Sequence, residues 1–334
     1  MVIKVGTSSL LKEGRDGKVI SLANIGRLVE VISQIRAEDR NVVLVTSGAV
    51  GFGAHSLGLK ERPTKLAGLQ ALASIGQMKL MRLYDDLFSS LSQTCAQILL
   101  TYENLETRAQ YLNARNTFME LFSRGVIPIV NENDTVAVQE LRFGDNDTLS
   151  AMVAGMVNAE HLFLLTDVDA LYTCNPRDNP DAKPIHIVEN INKLDADVDG
   201  RGSSFGTGGM KTKITAAKLA TGYGITTVIC NGTRPESILE VLHGSLTGTK
   251  FLPSSKGITG RRRWVLALPP QGEIVVDDGA RRAVLQRKSL FAVGIVSVKG
   301  NFGARDVRYA CSVAPCEILE LFRLTSMTCY LFVL

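Results

Sequence analysis

The chain has 334 residues, 45% hydrophobic and 21% charged, which describes a globular protein with room for one large core and a smaller one. A formal net charge of +4 and a pI near 8.7 are only mildly basic, and a solvated surface accounts for them without a nucleic-acid partner. Six cysteines show no CxxC pair and no zinc spacing, and no apolar stretch is long enough for a secretory leader or a membrane span, so a reduced, cytoplasmic protein is expected.

Short aliphatic runs without polar alternation predict buried parallel strands at 2–5, 42–45, 98–100, 126–130, 162–165 and 226–229. Between the first two, Leu22, Ile25, Val29, Ile32 and Ile35 fall at helical spacing behind Ser21, a candidate N-cap, and predict a helix over 21–36. Further helices are predicted over 70–88 and 209–221. Strands alternating with helices give an α/β fold around an open, mainly parallel sheet, whose ligands belong beyond the carboxyl ends of the strands. At 252–263, "LPSSKGITGRRR" has the composition of a linker. The residues after it predict a small, mostly β unit with a helix over 279–287, and a tail after about 307 that holds Cys311, Cys316 and Cys329.

Polar residues gather at the predicted strand ends. "KVGTSS" places Lys4 on a strand before a glycine and hydroxyl turn, which suits a phosphate and equally a plain surface turn. "VTSGAVGFG" follows a strand with Ser47; Gly51 and Gly53 begin a dinucleotide fingerprint, but Ser56 stands where its third glycine belongs, so a Rossmann site is not supported. Ser47 and the adjoining amides suit a carboxylate. "IPIVNENDTV" carries Asn131, Glu132, Asn133 and Asp134, and "FGDNDTLSA" carries Asn146 and Asp147 before an apolar helical start. A calcium loop counted from Asp145 fails, because Ser150 and Met156 occupy its Gly and Glu positions; a polar substrate cradle or a helix cap remains.

"LLTDVDALYT" repeats the strand-end plan with Thr166 and Asp167. In "GTGGMKTK", residues 206–213, glycines precede a helix start and suit an anionic group, although the spacing is not that of a P-loop and a plain loop fits as well. No Ser/His/Asp order, reactive cysteine context or HExxH is present, and His55, His161, His186 and His243 read as surface residues. Two distant lysines, a central aspartate and no evident base suit phosphoryl transfer to a nucleophile that is already ionised.

In order, "KVGTSSL", "VTSGAV", "LNARNT", "PIVNENDTVA", "FGDNDTLSA", "LLTDVDALYT", "NP" and "GTGGMKTK" resemble the glutamate 5-kinases of the amino acid kinase family over about residues 1–255. "RRRWVLALPPQGEIVVDDGARRAV" resembles the start of a PUA domain. The NENDTV and GDND motifs separate this group from the acetylglutamate, aspartate, carbamate and uridylate kinases that share its fold.

The resemblance implies a three-layer αβα kinase domain at 1–253, a linker at 254–263 and a PUA-like domain at 264–334, atypical or incomplete after about 307. It implies phosphorylation of the γ-carboxylate of L-glutamate by ATP with Mg2+, the first step of proline synthesis. By matching position, Lys4 and Lys213 neutralise the transferred phosphoryl group, with Asp147 holding both lysines. Ser47, Asp134 and Asn146 bind glutamate, Asp134 through its α-ammonium. Lys4, Thr166, Asp167 and the loop Thr207, Gly208, Gly209, Met210, Lys211, Thr212 and Lys213 bind ATP, and no residue is assigned to the metal.

It further implies a homo-oligomer, proline as feedback inhibitor tuned by a loop at 140–144, and a glutamyl phosphate reductase downstream. RNA binding through the PUA-like unit, with Arg261, Arg262, Arg263, Arg281, Arg282 and Arg287, is the weaker alternative; a kinase of another small carboxylate is a third reading. The chain departs from the resemblance twice. Only Met1 to Ile3 precede Lys4, so a short first strand is expected, and the tail from Arg308 does not match, so exposed strand edges are expected there.

Overall fold

In chain order the first part of the fold runs β1 (Val2–Val5), α1 (Thr7–Leu10), β2 (Leu11–Gly14), β3 (Gly17–Ile20), α2 (Leu22–Ala37), β4 (Val43–Thr46), α3 (Ala49–Ser56) and α4 (Leu66–Ser90). It continues with β5 (Cys95–Leu100), α5 (Tyr102–Glu106), α6 (Arg108–Ser123), β6 (Ile127–Glu132), α7 (Asn146–Met156), β7 (His161–Thr166), β8 (Leu171–Tyr172), β9 (Pro184–Ile185) and β10 (Ile187–Val188). The last elements of this unit are α8 (Met210–Gly222), β11 (Thr226–Asn231), α9 (Ser237–Leu242) and β12 (Thr249–Phe251). The structure is a computed structural model that describes residues 1–14, 17–59, 61–137, 146–174, 179, 181–191, 194, 209–254, 272–286, 288, 290–300, 307–312, 318–325 and 328–330. It divides into two units, Met1–Gly257 and Ile258–Leu334.

Eight strands of the first unit form one sheet in the order β10-β12-β11-β7-β1-β4-β6-β5. From β11 to β5 every pairing is parallel, and β12 runs antiparallel to β11 at one end. The predicted α/β architecture with a mainly parallel open sheet is the one observed. Both faces of such a sheet are covered, so its strands are apolar throughout. Alternation assigns the faces: Ile3, Val5, Leu44, Phe163, Leu165 and Val228 share a cluster with Ile25, Val29 and Ile32 of α2 and with Phe52, Leu80 and Tyr84 of α3 and α4. The intervening residues, Lys4 among them, face the layer of α7 and α8. Helix α7 is buried from Leu149 to Met156, as expected of a helix enclosed on all sides.

The strand ends extend beyond the predicted apolar runs because polar residues remain in the ladder: Thr46 pairs with Val5, Asn131 with Leu99 and Glu132 with Leu100. The short first strand is paired along its whole length on both sides, between β4 and β7. Ser21 stands at the N-cap of α2, but its side chain makes no capping hydrogen bond; its carbonyl accepts from Asn24 and Ile25 instead. The hairpin of β2 and β3 carries too many charges to register as strands from apolar runs.

Gly51 and Gly53, the incomplete fingerprint, serve packing. A Cβ on Gly53 would lie 2.0 Å from the Leu72 carbonyl oxygen, and one on Gly76 would lie 1.7 Å from that of Ala49, so these glycines let α3 and α4 touch backbone to backbone.

In the second unit, β13 (Gly272–Val276), a helix (Asp278–Leu285), β14 (Ile295–Lys299), β15 (Val307–Ser312), β16 (Ile318–Thr325) and β17 (Thr328–Tyr330) build a sheet of order β14-β13-β15-β16-β17. Asp277 caps the helix, its Oδ1 accepting from Ala280 N at 2.7 Å. The tail after 307 therefore contributes three strands, with Tyr309 opposite Leu321 and Leu324 opposite Cys329. Residues 255–271, which include most of the predicted linker and Arg261 to Arg263, lie outside the described residues, as do the loop at 140–144 and Arg287. Among the described residues no helix is long and apolar enough to cross a membrane.

Candidate functional site

Strand β1 lies between β4, which follows it through α2, and β7, which the chain reaches much later. The connections leave β1 in opposite directions, and the crevice beyond its carboxyl end is where an open parallel sheet binds ligands. The ends of β1, β4, β6, β7 and β11 meet at that edge, bringing with them Gly6, Ser47, Asn133, Thr166 and Gly232.

At its centre is a buried charge cluster. Asp147, in the first turn of α7, is 0% exposed; Lys4 Nζ lies 2.6 Å from its Oδ1 and Lys213 Nζ, from the second turn of α8, 3.1 Å from its Oδ2. Both lysines are buried, at 5% and 6% exposure. Burial by itself raises the Asp147 carboxyl pKa, but the charges of Lys4 and Lys213 more than offset it and hold the group down at about 2. The start of α7 favours the anion as well. Thr212 Oγ1 lies 2.9 Å from Asp147 Oδ2 and 2.8 Å from the Gly209 carbonyl, which ties the glycine loop to the same carboxylate. Among the described residues two ammoniums share this one buried carboxylate, and an anion is the complement of the excess positive charge.

Beside it, Asn146 Nδ2 lies 2.7 Å from the Thr46 carbonyl, 3.1 Å from Ser47 Oγ and 2.8 Å from Asn131 Oδ1. The two predicted glutamate residues Ser47 and Asn146 are thus in contact. Gly48, at φ +102, makes the sharp turn into α3 that sets Ser47 at the strand end. Asp134 is half-buried in the turn after β6, which is tied to α4 through Thr135 Oγ1 and Ser74 Oγ at 3.1 Å. Thr166 ends β7, its hydroxyl 3.1 Å from Asp167 Oδ1 and its carbonyl accepting from Gly232 N at 2.7 Å. Gly209, Met210, Lys211 and Thr212 open α8, with Lys211 exposed; Thr207 and Gly208 lie outside the described residues.

Residues that the strand-end motifs did not point to also support the edge. Asn24 of α2 is buried and donates to the carbonyls of Ser9, at 2.8 Å, and Gly232, at 2.7 Å, joining α1 to the loop after β11. Only its polarity on the apolar face of a predicted helix marks it in the sequence. Of the four histidines, His55, His186 and His243 are exposed as expected, whereas His161 is half-buried at the opposite end of β7, stacked on Phe163, its pKa lowered by burial.

The family model described as the amino acid kinase family matches residues 1–231, and that of the PUA domain matches residues 272–307. The chain is 51% identical to a glutamate 5-kinase of Synechococcus elongatus and 53% identical to one of a Cyanothece species, each alignment covering 95% of this chain and 87% of the relative. Among solved structures it is similar to an isopentenyl phosphate kinase of T. acidophilum, with TM-score 0.53, 17% identity and coverage of 75% of this chain and 98% of that one. A carbamate kinase of Giardia lamblia bound to AMP-PNP aligns with TM-score 0.54, 17% identity and coverage of 76% and 98%. The structural likenesses establish the fold of the first unit.

Proposed function

The chain belongs to the amino acid kinase family, alongside its glutamate 5-kinases, and from that premise we propose how its residues transfer the γ-phosphoryl group of ATP to the side-chain carboxylate of L-glutamate. The observation that carries the reading is the buried pair of lysines held by Asp147 at the sheet's switch point. A carboxylate oxygen of glutamate attacks the γ-phosphorus while the bond to ADP breaks and its electron pair leaves with ADP. A glutamate side chain of pKa ~4.3 is ionised at neutral pH, so no general base is needed. Lys4 and Lys213 face the oxygens on which charge is spread, and Asp147 holds them aimed before the substrates arrive.

Glutamate and ATP binding are assigned to residues 1–253, with 254–263 as linker and 264–334 as a PUA-like unit. In this reading Ser47, Asn146 and Asp134 take glutamate, Asp134 through the α-ammonium. Thr166, Asp167 and residues 207–213 take the nucleotide. Mg2+ would accompany ATP and neutralise phosphate charge; Asp147, the buried carboxylate at this locus, is already engaged by two lysines, so no residue of the chain is assigned to the ion. A cytoplasmic homo-oligomer, a downstream glutamyl phosphate reductase and inhibition by proline complete the proposal. Substitutions at 140–144 that leave proline inhibition unchanged would remove that loop from it. The extended likeness to glutamate 5-kinases favours this function over RNA binding or another small carboxylate.

The test is hydroxamate formation from ATP, Mg2+, L-glutamate and hydroxylamine, beside Lys213→Ala. The wild type is expected to form glutamyl hydroxamate and the variant to lose about 10²–10³ in kcat. A folded wild type that forms none, or a variant equal to it, would overturn the reading.

A further inference from the structure

From Asn146 a line of amide side chains leads away from the pocket. Asn146 Nδ2 donates to Asn131 Oδ1 at 2.8 Å, Asn131 Nδ2 to Gln77 Oε1 at 2.8 Å, and Gln77 Nε2 to Gln97 Oε1 at 2.9 Å. The four residues stand on α7, β6, α4 and β5. The oxygen and nitrogen of an amide are told apart by what they meet, and two backbone groups decide the matter for the whole line. The Thr46 carbonyl can only accept, so the Asn146 atom 2.7 Å from it is the NH2 group. The Glu132 N–H can only donate, so the Asn131 atom 2.9 Å from it is the carbonyl oxygen. Asn131 must then turn its NH2 to Gln77, and Gln77 must answer with its carbonyl. At 2% exposure, Asn131 has little access to water that could replace that acceptor.

The polarity bears on the ligand. An amide NH2 has two hydrogens, and with these taken up by the Thr46 carbonyl and Asn131 Oδ1, Ser47 Oγ lying beside them at 3.1 Å, the group that Asn146 has left for a ligand is its carbonyl oxygen, an acceptor. An acceptor there attracts the α-ammonium of an amino acid, and the reversed amide would repel it. We propose that Gln77 is a positioning residue of the glutamate site: its carbonyl locks Asn131, and Asn131 locks Asn146 with its oxygen toward the α-ammonium. The inference rests on the reading of this edge as the glutamate site.

Hydroxamate kinetics of the full chain, with L-glutamate and ATP varied separately, test it on Gln77→Met and Gln77→Glu. Methionine matches the size of glutamine and removes the acceptor, which leaves the Asn131 NH2 buried and unpaired. A roughly tenfold rise in KM for L-glutamate is expected, with kcat and KM for ATP within about twofold of wild type. Glutamate restores an oxygen opposite Asn131, and its KM is expected within about threefold of wild type. A purely structural role would move both variants together and would shift kcat and KM for ATP too. That pattern, or an unchanged KM in Gln77→Met, overturns the relay in an active enzyme. A wild type that makes no hydroxamate overturns the glutamate reading, and the relay with it.

Discussion

Replacing Asp147 by Asn leaves the volume of the site almost unchanged and removes the negative charge between Lys4 and Lys213. Each carboxylate oxygen now holds a different ammonium, Lys4 at 2.6 Å and Lys213 at 3.1 Å, in a side chain with 0% exposure. An amide has a single oxygen, so it can accept from one lysine and must turn an NH2 on the other, with both ammoniums left buried. Removing one partner of a buried ion pair costs about 3–5 kcal/mol, which urea unfolding of the variant beside wild type measures. Misaimed lysines are expected to lower kcat for hydroxamate formation by about 10²–10³ at saturating substrates. Phosphates supply the missing negative charge, so ADP is expected to raise the variant's unfolding midpoint more than that of wild type.

The acid limb carries an independent check of the same cluster. Burial raises the Asp147 pKa, yet the two lysines outweigh it and hold the group at about 2, below the ~3.9 of an unfolded aspartate. A depressed folded value gives stability that is complete above the unfolded pKa and lost as pH falls through the folded one. The advantage of wild type over Asp147→Asn is therefore expected to be full at neutral pH and to shrink between about pH 4 and pH 2. A variant with wild-type stability and kcat at pH 7 would refute the reasoning from buried charge.

Gly76→Ala is expected to destabilise the first unit by about 1–3 kcal/mol, toward the upper end, since the three atoms nearest the new Cβ are all backbone; an unchanged urea midpoint would contradict the α3–α4 contact. Cys230 is 0% exposed and burial pushes its thiol up to about 12, while burial and then the Asp85 charge push Cys95 up to about 11. At pH 8 both are expected to resist iodoacetamide in the native protein and to be alkylated in urea, as read by peptide mass spectrometry. Rapid native labelling of Cys230 would place it at the surface.

Strands buried on both faces are written as unbroken apolar runs, which is why the interior of the sheet could be read along the chain, and the polar residues after those runs marked the edge that holds the candidate site. Local patterns also placed Lys4 on a strand and Asp147 and Lys213 near helix starts. They could not tell that Thr46, Asn131 and Glu132 still belong to the ladder, because a paired polar residue looks like a loop residue until its neighbouring strand is known. The packing role of Gly53 in "VGFG" was hidden for the same reason: the helix it presses against begins at Leu66.

By itself, the amino-acid sequence determined the alternation of strand and helix, the apolar faces and the stock of charged and polar groups at the strand ends. Only the tertiary structure decided that the two oxygens of Asp147 are divided between two lysines from different elements, that Asn24 joins α1 to the loop after β11, and that Gln77 reaches Asn146 through Asn131. Periodicity is local, a property of neighbours along the chain. Charge pairing and amide polarity are set by groups far apart in sequence, and they exist only once the sheet has brought its strand ends to one edge.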